Sequence, residues 1–154
     1  MTGALTPPKL TIVVAQLTQA VGDLAANAAA MQAVRARHPS ADLILYPELQ
    51  LIGYPPEDLV LKPALATRAA EELAKLAAAT SDGGPAMLVG SVERDADGKL
   101  YNIVALLDGG RTHAVRRKHD LPNYGTFDEK RVFAAGPMPD VVEWRGVKLG
   151  LPIC

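Results

Sequence analysis

Cysteine is almost absent: Cys154 is the only thiol in a chain of 154 residues. An internal disulfide is therefore excluded, and that usage fits a reducing, cytoplasmic setting. A surplus of charge is also missing, because 16 Lys and Arg are set against 17 Asp and Glu, for a formal charge of −1. Without a basic excess, neither nucleic acid nor an anionic membrane is an expected partner. Long apolar runs are lacking as well. Leu59-Val60-Leu61 and Leu149-Gly150-Leu151 are far too short to span a bilayer. Met1 to Lys9 has none of the basic-then-apolar layout of a secretory signal. Aromatics are few and apolar content is ordinary. What remains is long enough for one domain with its own core.

Leu10 to Gln16 is β-branched and apolar and predicts a first strand. Gly22 or Asp23 can cap a helix, in which Val21, Leu24, Ala28, Met31 and Val34 recur at helical spacing. Arg35, Arg37 and His38 suit its last turn, and Pro39 ends it. Leu43 to Tyr46 predicts a second, buried strand, completing a parallel crossover unit. Ala64 to Ala79 predicts a second helix, with Leu65, Ala69, Leu73 and Leu76 on one face and a Glu71–Lys75 pair. Strands are expected at Met87 to Ser91, Leu100 to Leu107 and Arg111 to Arg117, the last two joined through Asp108-Gly109-Gly110. Val141 to Trp144 and Val147 to Ile153 flank Arg145-Gly146 as a further hairpin. The expected fold class is α/β, a mixed sheet with helices on one face and the other face needing cover.

Three reactive side chains stand at or just past expected strand ends: Glu48, Lys118 and Cys154. Pro47 lacks a backbone donor, so the second strand stops there and Glu48 falls at its carboxyl end, where open α/β sheets bind ligands. Gly53, Pro55 and Pro56 stiffen the loop beyond. A thiol is mostly protonated at neutral pH and needs a base, which a carboxylate can supply. A fixed ammonium can hold a developing oxyanion. The three together would form an acyl-transfer site that needs no metal. Each also has a structural reading: Glu48 as a loop acid or helix cap, Lys118 as part of a basic edge that deters strand pairing, and Cys154 as a small core hydrophobe. His113, His119 and Asp120 hint at a metal site, but no second cluster completes one.

Tyr46-Pro47-Glu48-Leu49, the run Arg117 to Phe133, and Gly150-Leu151-Pro152-Ile153-Cys154 together resemble the nitrilase, or carbon–nitrogen hydrolase, superfamily. The longer forms Gly53-Tyr54-Pro55-Pro56-Glu57-Asp58-Leu59 and Lys118-His119-Asp120-Leu121-Pro122-Asn123-Tyr124-Gly125 resemble the amino-terminal glutaminase domain of the glutamine-dependent NAD synthetases. The resemblance implies an αββα sandwich that assembles as a homo-oligomer. It makes Glu48 the general base, Lys118 the oxyanion-stabilising cation and Cys154 the nucleophile that forms a glutamyl thioester. Glu129 matches a second glutamate beside the lysine, and Tyr54 and Tyr124 match positions that line a glutamine pocket. No cofactor is implied for amide hydrolysis itself. The released ammonia would pass to deamido-NAD in a synthetase domain that uses ATP and Mg2+.

On this resemblance residues 1–154 are a partial glutaminase domain and the synthetase domain is absent. A stand-alone amidase of the same superfamily and a non-catalytic folding or oligomerising fragment are the alternatives. Val147 to Cys154 reads as a core strand without a polar tail, which suggests a fragment or a partner covering that edge. The family's next residue would supply an oxyanion-hole N–H, and an α-carboxylate on Cys154 would oppose oxyanion formation. Little or no steady-state glutaminase activity is therefore expected of these residues alone. An ammonia-release assay comparing the chain with Cys154→Ala checks this, and substantial turnover that the substitution removes would overturn it.

Overall fold

Short β-branched runs broken by proline set the frame. The structure, a computed structural model, describes residues 9–154, so the reading of residues 1–8 as lacking a secretory layout lies outside it. β1 (Ile12–Val14), β2 (Leu43–Leu45) and β3 (Ala86–Arg94) are parallel neighbours, connected through α1 (Leu24–Arg37) and α2 (Pro63–Ala79). β4 (Leu100–Asp108) and β5 (Arg111–Arg117) then add antiparallel, giving a five-stranded mixed sheet in the order β1-β2-β3-β4-β5. β6 (Val142–Trp144) and β7 (Val147–Leu149) form a separate two-stranded sheet. A one-turn helix, α3 (Glu129–Val132), lies in the connection before it.

The period of two along each strand sorts the core into two faces. Ile44, Met87, Val89, Ala105 and Leu107 pack against Met31 and Val34 of α1 and Leu76 of α2. Leu43, Ala86, Leu88, Val104 and Leu106 point the other way, against Val142, Trp144 and Leu151. Both α-helices thus cover one face, and the β6–β7 hairpin with the segment after it lies on part of the other. Among the described residues nothing covers the rest of that second face. Ile12 and Val14, in register with Leu43 and Leu45, are 47% and 67% exposed.

Local chemistry explains the helix ends. Asp23 caps α1, its carboxylate accepting from the N–H of Ala26, and Pro63 opens α2 where a missing N–H costs nothing. Arg35 ties the end of α1 to the loop after α2. Its Nη1 and Nη2 donate to Asp82 at 2.8 and 2.6 Å and its Nε donates to the Pro85 carbonyl at 2.7 Å. Among the described residues no helix is long and apolar enough to cross a membrane.

Some expectations need correction. Lys75 pairs with Glu72 at 2.7 Å rather than with Glu71. Both spacings are in reach on a helix, and Glu72 is the more sheltered carboxylate. A 3₁₀ turn at Glu57–Leu61 precedes α2. The last strand ends at Leu149, so Val147 to Cys154 is not a continuous core strand: Leu151 is buried but Pro152 and Cys154 are exposed.

Leu76 is fully buried between α2 and the sheet. Leu76→Ala should cost about 2–5 kcal/mol in urea unfolding, whereas Val14→Ala on the open face should cost under about 0.5 kcal/mol.

Candidate functional site

Strand ends do most of the positioning. β2 stops at Leu45, the Tyr46 N–H still reaches the Leu88 carbonyl at 3.1 Å, and Pro47 ends the ladder. The chain then turns sharply through Leu49, which adopts a φ of 52°, and the Leu51 N–H returns to the Gly90 carbonyl at 3.0 Å. Glu48 sits on this turn, pressed against β3. A Cβ on Gly90 would collide with the Leu49 nitrogen and come within 2.6 Å of the Pro47 carbonyl oxygen. Glycine in mid-strand therefore lets the backbone of the turn lie directly on the sheet.

Lys118 follows the last residue of β5. Its backbone is held on both sides: its N–H donates to the Asn102 carbonyl at 2.8 Å, and its carbonyl accepts from Gly136 at 2.7 Å. Gly136 also has no room for a side chain, because a Cβ there would strike Arg117. The side chain of Lys118 is among the most deeply buried in the protein, at 2% exposure. Its ammonium donates to Glu48 Oε1 at 2.8 Å and to Glu129 Oε1 at 2.9 Å. Burial pulls the lysine's pKa down, but the hydrogen bonds and charges of Glu48 and Glu129 outweigh it, so the net shift is upward. Lys118 is an ammonium at neutral pH.

The remaining candidates gather around this pair with different closeness. Glu129, at the start of α3, is buried beside the ammonium, and its Oε2 has no hydrogen-bond partner among the described residues. Tyr54 borders one cleft with Glu48 and another with Glu129, and its phenol pKa is pushed upward, first by burial and then by those two carboxylates. Cys154 lines the same cavity of about 370 Å³ as Glu48 and Gly90. It does not arrive at a strand end. An irregular segment after β7 brings it across the second face of the sheet, and its side chain is exposed. Tyr124 lies further out, 70% exposed, with its ring edge-on to Phe127 at 5.6 Å, and shares a wide cleft of about 870 Å³ with Cys154.

The basic-edge reading of Lys118 fails, since its ammonium is enclosed. The histidines are occupied elsewhere: His113 Nε2 bonds the Glu143 carbonyl at 3.1 Å, and His119 Nδ1 bonds the Gly136 carbonyl at 2.8 Å. Among the described residues no three His, Cys, Asp or Glu side chains are grouped to hold a metal ion. Sequence reasoning missed three residues that shape the site: Asn102, Gly90 and Gly136. An amide in the middle of the apolar run Leu100 to Leu107, and a glycine inside a strand, were the available signals.

Residues 11–154 match the family model described as carbon–nitrogen hydrolase. A glutamine-dependent NAD(+) synthetase from Rhodobacter capsulatus is 46% identical over 147 residues, covering 93% of this chain and 26% of that protein. The structure of a glutamine-dependent NAD+ synthetase from Acinetobacter baumannii in complex with ADP superposes with a TM-score of 0.80 at 39% identity, over 94% of this chain and 27% of that one. An amidase from Nesterenkonia sp. AN1, a variant of which shows Michael addition of acrylamide at its active-site cysteine, gives a TM-score of 0.79 at 26% identity, over 95% of this chain and 57% of that one. The chain thus spans about a quarter of the length of the curated relatives it matches.

The raised pKa of Lys118 makes the ion cluster stabilising below the ordinary lysine value of 10.5, with that stability lost as pH climbs through the higher folded value. Lys118→Met should abolish this alkaline component of the unfolding curve. It should also cost about 3–5 kcal/mol at neutral pH, because two carboxylates are left facing each other. Part of that loss should return as pH falls and one of them takes a proton. Urea unfolding as a function of pH measures all three effects.

Proposed function

The chain belongs to the carbon–nitrogen hydrolase family, and from that premise we propose that it supplies the amide-cleaving centre of a glutamine-dependent NAD synthetase. One observation carries the reading: a buried ammonium held between two carboxylates, one of which, Glu48, shares a cavity with the only thiol of the chain. In this reading Glu48 takes the thiol proton as the Cys154 sulfur attacks the amide carbon of glutamine. The oxygen becomes an oxyanion within reach of the Lys118 ammonium, which stabilises it in a poorly hydrated site. Glu48 returns the proton to the leaving nitrogen, ammonia departs and a glutamyl thioester remains. Water then attacks the thioester, again deprotonated by Glu48, and glutamate is released with the thiol restored.

Glu129 holds Lys118 from the other side, and Tyr54 and Tyr124 line the approach for the substrate. Residues 1–154 are then the first part of the glutaminase domain, and the ammonia serves the amidation of deamido-NAD. That ligase step, with its ATP and Mg2+, belongs to a domain beyond these residues, and no step here runs through a metal. A cytoplasmic homo-oligomer is the setting this activity implies. The amidase likeness favours a second reading, hydrolysis of a simple amide by the same residues.

Acid-quenched mixtures of the chain with glutamine or with propionamide separate the two in intact-protein mass spectra. The expected result is a glutamyl thioester on Cys154 that builds up without steady-state turnover, lost in Cys154→Ala and formed about 10²–10⁴ more slowly in Glu48→Gln. An acyl adduct from propionamide but none from glutamine would favour the simple amidase.

A further inference from the structure

Asn102 lies on β4, fully buried, in a run otherwise made of apolar residues. Its Nδ2 donates to Glu48 Oε1 at 2.6 Å. The orientation of this amide is forced, because turning Oδ1 toward the carboxylate would set two acceptors against each other. The same residue holds Lys118 by its main chain, through the carbonyl that accepts the Lys118 N–H at 2.8 Å. The other end of the side-chain amide, Oδ1, is buried and has no hydrogen-bond partner among the described residues. A leucine of similar shape would fill the same space in this apolar run but would give Glu48 no donor.

We propose that Asn102 is a positioning residue that fixes the rotamer of Glu48, so that Oε1 is committed to Asn102 and Lys118 and Oε2 faces the cavity that Cys154 lines. Lys118 alone cannot do this. An ammonium is a point charge that accepts either carboxylate oxygen, and the carboxylate can rotate about it. A second donor on the same oxygen, arriving from the sheet, removes that freedom. The base then presents one oxygen in one direction, and proton transfer from the thiol needs no search among rotamers. The proposal rests on Glu48 acting as the base in the reading above.

Single-turnover acylation tests it, with the chain in excess over glutamine and the released ammonia followed for wild type, Glu48→Gln, Asn102→Leu and Asn102→Asp. Asn102→Leu keeps the shape of the residue and loses the donor, and Asn102→Asp sets a second carboxyl against Glu48, so that the two share a proton and the base is blocked. The expected result is a fall in the acylation rate constant of about 100-fold in each, with the half-saturating chain concentration unchanged and the melting temperature of Asn102→Leu no lower than wild type. A rate within twofold of wild type in a folded Asn102 variant, while Glu48→Gln abolishes the reaction, would overturn the positioning role and leave the base assignment standing. Indifference to Glu48→Gln, or no ammonia from any form, would overturn both.

A turnover-free measurement addresses the contact itself. The side-chain amide resonances of Asn102 in a ¹⁵N-labelled sample should move on Glu48→Gln and stay in place on Phe127→Leu. Resonances that ignore Glu48→Gln would also overturn the proposal.

Discussion

A single buried ammonium organises this structure. Lys118 is almost wholly removed from water, and an isolated charge there would be costly. It is tolerated because Glu48 and Glu129 meet it at 2.8 and 2.9 Å. Those two carboxylates come from opposite ends of the architecture, one from the turn that leaves β2 and one from the short helix before the hairpin. Meeting at one nitrogen therefore requires the parallel half of the sheet, the antiparallel half and the connection after β5 to be assembled together. The ion cluster is a consequence of the whole fold, and a checkpoint on it.

The backbone around the cluster is fitted as closely as the charges. Gly90 allows the Glu48 turn to rest on β3, and Gly136 allows the chain after α3 to rest on Arg117. At both places backbone lies where a side chain would otherwise stand. Such contacts have little give, since moving one means moving a strand or the turn that a strand anchors. The side chains of Glu48 and Lys118 thus start from fixed points, and short, charge-assisted hydrogen bonds do the final adjustment.

Much of the frame was legible in the sequence. The apolar runs Met87 to Ser91 and Leu100 to Leu107, the turn residues at Asp108-Gly109-Gly110, and the helical spacing from Leu24 to Val34 are local signals, and the strands and helices follow them. What could not be read depends on contacts between distant segments. Whether Lys118 was a solvated edge charge or an enclosed cation turned on Glu48 and Glu129, 70 and 11 residues away. Whether Glu71 or Glu72 met Lys75 turned on shelter from solvent, which spacing does not encode. Val147 to Cys154 looked like one strand because apolar residues dominate it, and Gly150 and Pro152 were the signals that pairing would stop. Pairing ends at Leu149, and the thiol reaches the site by irregular chain over the open half of the sheet.

The charges of the cluster also bear on how the proposed chemistry proceeds. One ammonium cannot neutralise two carboxylates, so the resting group of Glu48, Lys118 and Glu129 carries a net single negative charge when all three are ionised. When Glu48 takes the thiol proton it becomes neutral, and a negative charge appears on the carbonyl oxygen instead. Lys118 and Glu129 remain as an ion pair throughout. The net charge of the centre is therefore the same before and during attack: charge is moved past a fixed cation, not created in a poorly hydrated place. That removes the largest electrostatic cost of forming an oxyanion away from water, and the balance holds whether or not Glu129 is counted. What Glu129 adds is a second hydrogen bond to the buried ammonium, at 2.9 Å, which offsets the cost of taking that charge out of water.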